Sequence, residues 1–106
     1  MATMTLEVFS KGSLGRGQKT VDTAGTAEAI LTSGDTLWHS VTILALTTNA
    51  GQVFVGGSGV SSTNNQGLDS GEAVTLTPHR GHEVALDDIF MDVGTNGEGA
   101  EIWVAR

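Results

Sequence analysis

The feature that most constrains the fold is a series of short apolar runs that alternate with polar residues and are separated by turn residues. Clear examples are residues 3–9, 72–77 and 101–105. Successive side chains of a strand point to opposite faces of a sheet, so alternation is typical of a half-buried strand. A helical period fits only residues 26–31, a segment too short for a stable helix. The pattern therefore predicts strands and no helix.

These runs predict an all-β fold of one domain that spans residues 1–106. The expected architecture is an antiparallel β-sandwich or jelly-roll-like barrel of about seven or eight short strands. A chain of 106 residues has room for a single domain. Glycine, serine, threonine and asparagine concentrate near residues 10–17, 56–67 and 94–100, and we expect flexible loops there.

Two turns predict β-hairpins. Residues 37–47 form the longest strand candidate, and a turn at 49–51 would return the chain as a strand over 52–56. The second turn spans residues 94–99 and contains an Asn-Gly pair, a strong short-range hairpin signal. The closing strand over 101–105 would then pair with the strand before this turn.

The charge of the chain argues against nucleic acid as a partner. The formal net charge is −7 at pH 7, whereas phosphate binding needs a clustered basic face. The basic residues are scattered, apart from three near the amino end, and we interpret them as a solvated surface or a contact with an acidic protein. They are Lys11, Arg16, Lys19, Arg80 and Arg106.

Cysteine content and hydropathy exclude further classes. The chain has no cysteine, which removes disulfides and zinc-thiolate sites. Its longest apolar-rich run, residues 41–46, is far shorter than the roughly 20 residues that cross a bilayer. Residues 1–5 lack the basic and apolar regions of a signal peptide. We therefore expect a soluble product that is made in the cytoplasm and has no membrane partner.

Residues that could support nucleophilic catalysis or metal binding occur in incomplete patterns. Ser58 lies among glycines, but the closing glycine of the nucleophile-elbow motif and the helix that must follow it are missing. His79 and His82 have no third ligand at a defined spacing, and Arg80 between them would repel a cation. His39 is expected on the apolar face of its strand, as a core or interface residue.

The carboxylates also lack a recognisable arrangement. Asp87, Asp88 and Asp92 do not have the spacing of a calcium loop. Asp69 and Glu72 flank a turn, and the chain has no tyrosine for the aromatic platform of a sugar site. We therefore predict no catalytic, cofactor-binding or metal-binding residue, and we expect that the protein is not an enzyme.

Three aromatic residues are candidates for a protein interface: Phe54, Phe90 and Trp103. Each lies between two apolar neighbours that would fill the core-facing positions of its strand. The ring would then face water, or the second sheet if the phase is reversed. Exposed apolar patches commonly mark interfaces, and a small domain gains stability from partner chains. For Trp38 and Trp103, packing in a core or interface is favoured over stacking on a ligand.

A further series of motifs covers the chain from residue 40 onward. It consists of an apolar strand, N-x-G, V-x-V-G, V-S-x-x-N, L-x-x-G-E-x-x-x-L, an acidic turn and a closing apolar strand. Gln66 lengthens the spacing between the asparagine of V-S-x-x-N and Gly67. This order resembles a family of small structural proteins of tailed-bacteriophage virions. The residues that carry the likeness are 41–45, 48–51, 53–57, 60–64, 67–68, 70–76, 86–91 and 102–105.

The resemblance implies a β-sandwich subunit of the virion with no catalytic residues. It suggests a capsid decoration (cement) protein on the outside of the head, synthesised in the cytoplasm of the bacterial host. The implied partners are the major capsid protein and further copies of the chain, as a homotrimer. A neck, tail or fibre component and a carbohydrate-binding β-sandwich module are the alternatives, and an enzyme is a more remote one.

Overall fold

The computed structural model describes residues 4–9, 12–34, 36–63 and 66–106, and these residues form ten strands and no helix. All strand pairs are antiparallel. The predicted all-β class is therefore confirmed, with more and shorter strands than expected. The strands are β1 (Glu7–Val8), β2 (Leu14–Thr20), β3 (Glu28–Ala29), β4 (Leu37–Trp38), β5 (Ser40–Ala45), β6 (Val53–Gly56), β7 (Ala73–Leu76), β8 (Val84–Ala85), β9 (Phe90–Val93) and β10 (Gly99–Ala105).

The described strands form a β-sandwich-like arrangement of three sheets. The largest sheet has five strands in the order β1-β2-β10-β5-β7, and a second has three in the order β3-β9-β6. Strands β4 and β8 make a two-stranded sheet. Apolar residues from all three sheets bury one another in a single cluster, which is the core of the protein.

The core follows from the alternation in two neighbouring central strands, β10 and β5. In β10, Ile102 lies opposite Ile43 of β5, and Val104 lies opposite Val41. Directly opposed residues of an antiparallel pair share a face, so these four side chains form a continuous buried row against the second sheet. The outer face of the large sheet carries Glu101 and Trp103 of β10, with Leu44 and Thr42 of β5 opposite them.

Both predicted hairpins are wrong in their pairing. Strand β5 pairs with β10 and β7, whereas β6 pairs with β9 in the other sheet. Likewise, β9 and β10 lie in different sheets, so residues 94–98 connect the sheets rather than close a hairpin. A turn motif specifies that the chain reverses locally, but it does not specify which strand becomes the hydrogen-bonding partner.

Two of the connections between the sheets, β5–β6 and β9–β10, are bonded to each other. Glu98 accepts hydrogen bonds from the backbone N–H groups of Ala50 and Gly51, at 2.6 and 2.9 Å. The Asn49 side chain donates to the carbonyl oxygen of Gly99 at 2.8 Å. Turn residues that sequence analysis assigns to two separate hairpins therefore form one hydrogen-bonded corner of the sandwich.

The predicted loop boundaries need two corrections. Strand β2 begins at Leu14, so the predicted loop over residues 10–17 is extended backbone from that point, and residues 10 and 11 lie outside the described residues. Strand β10 begins at Gly99, inside the predicted loop over 94–100. Gly15, Gly17 and Gly99 lie instead at crowded sheet positions, where a side chain would meet a neighbour.

Between Gly56 and Gly67 the described residues form no strand, in agreement with the predicted loop; residues 64 and 65 lie outside them. Val60 is buried within this segment. Leu68 then forms a β-bridge with Val53, in which each backbone N–H donates to the other residue's carbonyl oxygen. The segment is thus anchored to the second sheet at its end.

Candidate functional site

Trp103 is the one of the three interface candidates whose predicted exposure is confirmed. Its neighbours Ile102 and Val104 are buried, while 38% of Trp103 is accessible on the outer face of the five-stranded sheet. The alternation of β10 is unbroken here, because the strand is paired on both sides, with β2 and with β5. Local sequence therefore specifies which way this ring points.

The predicted exposure of Phe54 is wrong, and Phe90 is only half-exposed. Phe54 is 6% accessible, although its neighbour Val53 is also buried. The outer face of β6 is covered by the segment that leads to Leu68: a Cβ on Gly67 would lie 2.7 Å from the Phe54 ring. Phe90 lies opposite Ala29 and Gly56 in the second sheet, whereas Trp103 lies in the five-stranded sheet. The structure therefore does not bring the three aromatic residues together in one surface.

Trp103 instead shares a surface with two residues of the β1–β2 hairpin. The rings of Phe9 and Trp103 meet edge to face, with centroids 6.4 Å apart and planes at 77°. Leu14 lies opposite Ala105 on the same face as Trp103, and Phe9 donates its backbone N–H to the Leu14 carbonyl oxygen at 3.0 Å. We call Phe9, Leu14 and Trp103 the Trp103 patch. All three are among the most exposed large apolar residues of the described chain.

Two charged residues hold the Trp103 ring in place. The Glu101 carboxylate accepts hydrogen bonds from Arg16 Nε at 2.9 Å and from the indole Nε1 of Trp103 at 2.7 Å. The guanidinium of Arg16 also lies 5.7 Å from the centre of the Trp103 ring, within cation–π range. Because the indole is already oriented, a partner that packs on it loses little side-chain entropy.

The same contacts determine the ionisation of Glu101. The hydrogen bond from Arg16 is the main cause that lowers the pKa of Glu101 below its ordinary value. Partial desolvation opposes this effect, and the bond from Trp103 and the charge of Arg16 reinforce it. Glu101 is therefore ionised and paired with Arg16 at neutral pH, while Glu7 lies opposite Arg16 on the same face of the sheet.

A groove lined by both polar and apolar residues lies on the other side of β1. Met4, Thr5, Leu6, Val8, Leu31, Ser33 and Gly34 line a groove of about 360 Å³, which we call the β1 groove. The glycines of β2 at the neighbouring inward positions let Met4 pack close to that strand. Val8 lies opposite Gly15, and a Cβ on Gly17 would lie 2.9 Å from the Met4 sulfur. None of the described residues that line the groove is charged.

The histidines do not meet in a site. His39 is exposed, so its predicted place on the apolar face is wrong. Trp38 and Val41 are both buried although they lie three residues apart, so the alternation of buried and exposed positions shifts by one residue between β4 and β5. His79 and His82 are exposed in a turn that is closed by a backbone bond from His82 N to the His79 carbonyl oxygen. Across the described ranges no cluster of three or more histidine, aspartate or glutamate side chains could hold a metal ion.

Two of the carboxylates considered for chemistry, those of Glu72 and Asp92, bind backbone groups instead. Glu72 accepts a hydrogen bond from the Asp69 backbone N–H at 2.7 Å, which caps the turn before β7. Asp92 is buried and accepts bonds from the backbone N–H groups of Gly25 and Val93. Ser58 is exposed in a turn that leads to Val60 and not to a helix. The Glu72 and Asp92 carboxylates thus stabilise a turn, a loop and a strand end.

Sequence analysis missed a buried ion pair. Lys19 Nζ lies 2.7 Å from Glu28 Oε1, and both side chains are almost fully buried between β2 and β3. The interpretation of Lys19 as part of a solvated basic surface is therefore wrong, while Lys11 lies outside the described residues. The sequence did contain a signal for this burial. Gly15, Gly17 and Lys19 occupy every second position of β2, so the Lys19 side chain lies on the same inward face as the two glycines.

Two further findings concern the chain as a whole. No helix in the described part of the chain is long and apolar enough to cross a membrane. In comparisons with known proteins, no family model, no curated protein and no solved structure matches this chain.

Proposed function

We propose that this protein is a non-enzymatic structural component of a tailed-phage virion, a decoration protein that binds the outer surface of the major capsid protein and stabilises the head. Its place is then the capsid exterior, after synthesis in the host cytoplasm. The observation that carries the proposal is the Trp103 patch, a preoriented aromatic surface on an otherwise acidic domain. Such a surface suits contact with protein and not with packaged DNA.

The placement of the resembling motifs supports this proposal. The apolar residues of the likeness lie in strands β5, β6, β7 and β10, where they supply much of the buried core and its hydrogen-bonded pairs. The same series thus describes a fold and not a catalytic site, as expected for a subunit whose role is structural. We propose further that the copies act as a trimer, a number that rests on the resemblance.

Binding to capsids that lack the protein tests the proposal. Purified protein is mixed with capsids of the parent phage from which it has been removed, and the capsids are re-isolated and imaged by electron cryomicroscopy. We expect density over the whole outer surface and a higher temperature of capsid disruption. Trp103→Ala should weaken binding, whereas the exposed control His79→Ala should not. Density confined to one vertex would identify a neck or tail component instead.

A carbohydrate-binding module is the second candidate, because an exposed indole beside polar groups is also a feature of sugar sites. The geometry favours a protein partner. The Phe9 and Trp103 rings are nearly perpendicular, so they form no continuous flat platform, and Arg16 lies over the indole ring. A glycan array separates the two: specific, Trp103-dependent glycan binding without capsid binding would support the carbohydrate module.

A further inference from the structure

The Asn96–Gly97 pair forms the tip of the connection between β9 and β10. The backbone N–H of Glu98 donates to the Thr95 carbonyl oxygen at 3.2 Å, which closes a turn with Asn96 and Gly97 at its centre. Gly97 has a φ of 80°, which the third position of a type II turn requires and glycine adopts without strain. The turn therefore needs glycine directly after Asn96, and both residues are exposed.

An asparagine that precedes glycine is chemically unstable, because no side chain hinders attack by the glycine nitrogen on the asparagine carboxamide. The Gly97 nitrogen loses its proton to hydroxide and forms a bond to Asn96 Cγ. The Cγ–Nδ2 bond breaks, and Nδ2 takes a proton from water and leaves as ammonia. Water then opens the cyclic imide at either carbonyl group. The products are aspartate and isoaspartate, in which the main chain runs through Cγ.

In the folded protein both reacting groups are held by the connection between β2 and β3. The Gly97 N–H donates to the Val21 carbonyl oxygen at 2.8 Å, and Asn96 Oδ1 accepts from the Ala24 N–H at 2.8 Å. Loss of the Gly97 proton would set a negative nitrogen against the Val21 oxygen. The imide nitrogen carries no hydrogen, so the bond to Val21 cannot exist once the ring has closed. The reaction therefore requires that this contact opens.

The contact with Asn96 also helps to hold the β2–β3 connection in place. Asp92 accepts a hydrogen bond from the Gly25 N–H at 2.9 Å, so Asp92 and Asn96 bind consecutive backbone N–H groups of this connection. In isoaspartate, Oδ1 becomes part of the main chain and the backbone gains a methylene group. The change displaces both the acceptor of the Ala24 N–H and the Gly97 nitrogen. Isoaspartate at position 96 therefore weakens the attachment of the connection.

We propose that Asn96 is a site of spontaneous deamidation, and that local opening of its contact with the β2–β3 connection controls the rate. The rate in the folded chain is then the rate in the unfolded chain multiplied by the fraction of open molecules. Each event is irreversible and adds a negative charge to a chain whose formal net charge is −7. The inference does not depend on the proposed function and requires no partner.

Incubation of the full chain at mildly alkaline pH, with and without guanidinium chloride, tests this control. Peptide mass spectrometry measures the conversion of Asn96, and Asn49, which precedes alanine, is the internal comparison. We expect Asn96 to react faster than Asn49 in denaturant, and at least about tenfold more slowly in the folded chain than in denaturant. The ratio of the two Asn96 rates should follow the hydrogen-exchange protection of the Gly97 amide.

Two results would overturn the proposal. Absence of conversion at Asn96 in denaturant would show that the pair is not a deamidation site. A folded rate equal to or above the unfolded rate would show that opening does not control the reaction, and that the Ala24 N–H activates the carboxamide instead.

Asn96→Asp separates the effect of charge from that of the altered backbone. It introduces the charge of the product with a normal main chain and keeps an oxygen acceptor for the Ala24 N–H. The urea midpoint of Asn96→Asp should therefore stay close to that of the wild type, whereas the purified isoaspartate chain should unfold at lower urea. Equal midpoints of the two chains would contradict the weakened attachment. Asn96→Gln, which removes the reactive pair, should show no conversion at position 96 under the same conditions.

Discussion

Lys19 of β2 and Glu28 of β3 form an ion pair of 2.7 Å between the two larger sheets, with 2% and 4% of their side chains accessible. The second carboxylate oxygen of Glu28 accepts a hydrogen bond from the Asp22 backbone N–H at 3.1 Å. The pair thus lies beneath the loop that connects β2 to β3 and bonds to it. Burial of two charges is tolerable because each neutralises the other and Glu28 has a further donor.

Removal of one partner of this pair should be strongly destabilising. Lys19→Met leaves Glu28 as an uncompensated buried carboxylate, and we expect a loss of about 3–5 kcal/mol in the free energy of unfolding. Arg16→Met is the control, because it breaks the partly exposed pair with Glu101 and should cost about 0–1 kcal/mol. Urea titrations followed by tryptophan fluorescence measure both. Equal losses of unfolding free energy in Lys19→Met and Arg16→Met would contradict a larger contribution from the buried pair.

The decrease in the free energy of unfolding at acid pH should depend on Glu98. Hydrogen bonds from the backbone of Ala50, then of Gly51, lower the pKa of Glu98 below the ordinary value of 4.5, against a smaller effect of desolvation. A carboxyl group with a lowered folded-state pKa contributes stability above its unfolded pKa, and this contribution disappears as the pH falls through the folded value. The difference in urea midpoint between wild type and Glu98→Gln should therefore be largest near neutral pH and shrink in acid.

Carboxyl NMR titration provides the direct check on that prediction. Glu98 and Glu101 should both titrate below 4.5, since hydrogen bonds to the ionised form lower the pKa in each case. Glu101 serves as an internal comparison, because Arg16→Met should raise the pKa of Glu101 without moving that of Glu98. A Glu98 titration at or above 4.5 would mean that the corner between residues 49 and 51 is not held as described.

Gly99 should not tolerate a side chain. A Cβ at this position would overlap the carbonyl oxygen of Lys19, a backbone atom of the paired strand β2 that cannot move without disrupting the sheet. Gly99→Ala is expected to cost about 3 kcal/mol or more. Gly57→Ala is the matched control, since a Cβ there meets nothing within 4 Å. A small effect at Gly99 would show that β10 begins later than Gly99.

Divalent metals should not stabilise the protein. His79 and His82 lie together in an exposed turn without a third ligand among the described residues. A site that bound only the folded state would add about 2.7 kcal/mol at a hundredfold excess of metal over its dissociation constant. We expect no such rise in Tm with zinc or calcium. A rise that disappears in the double variant His79→Ala, His82→Ala would instead establish a metal site.

The sequence determined the all-β class and the orientation of residues along individual strands. Alternation correctly predicts that Ile102 and Val104 are buried and that Trp103 faces out, because β10 is a long strand in the centre of its sheet and its pleat is uninterrupted. It also correctly predicts that Val41 and Ile43 are buried. These features depend on the two-residue repeat of a strand, which is a local property of the chain.

Only the tertiary structure decided which strands pair and what covers them. Strand β5 joins β10 from the far end of the chain instead of its neighbour β6, because pairing depends on packing across the core and not on the intervening turn. Phe54 has the local pattern of an exposed residue, yet it is buried because the segment before Leu68 packs against its ring. Phe9, distant in sequence from Trp103, becomes its neighbour through β2. Such long-range contacts are set by the burial of the whole domain, and local periodicity carries no information about them.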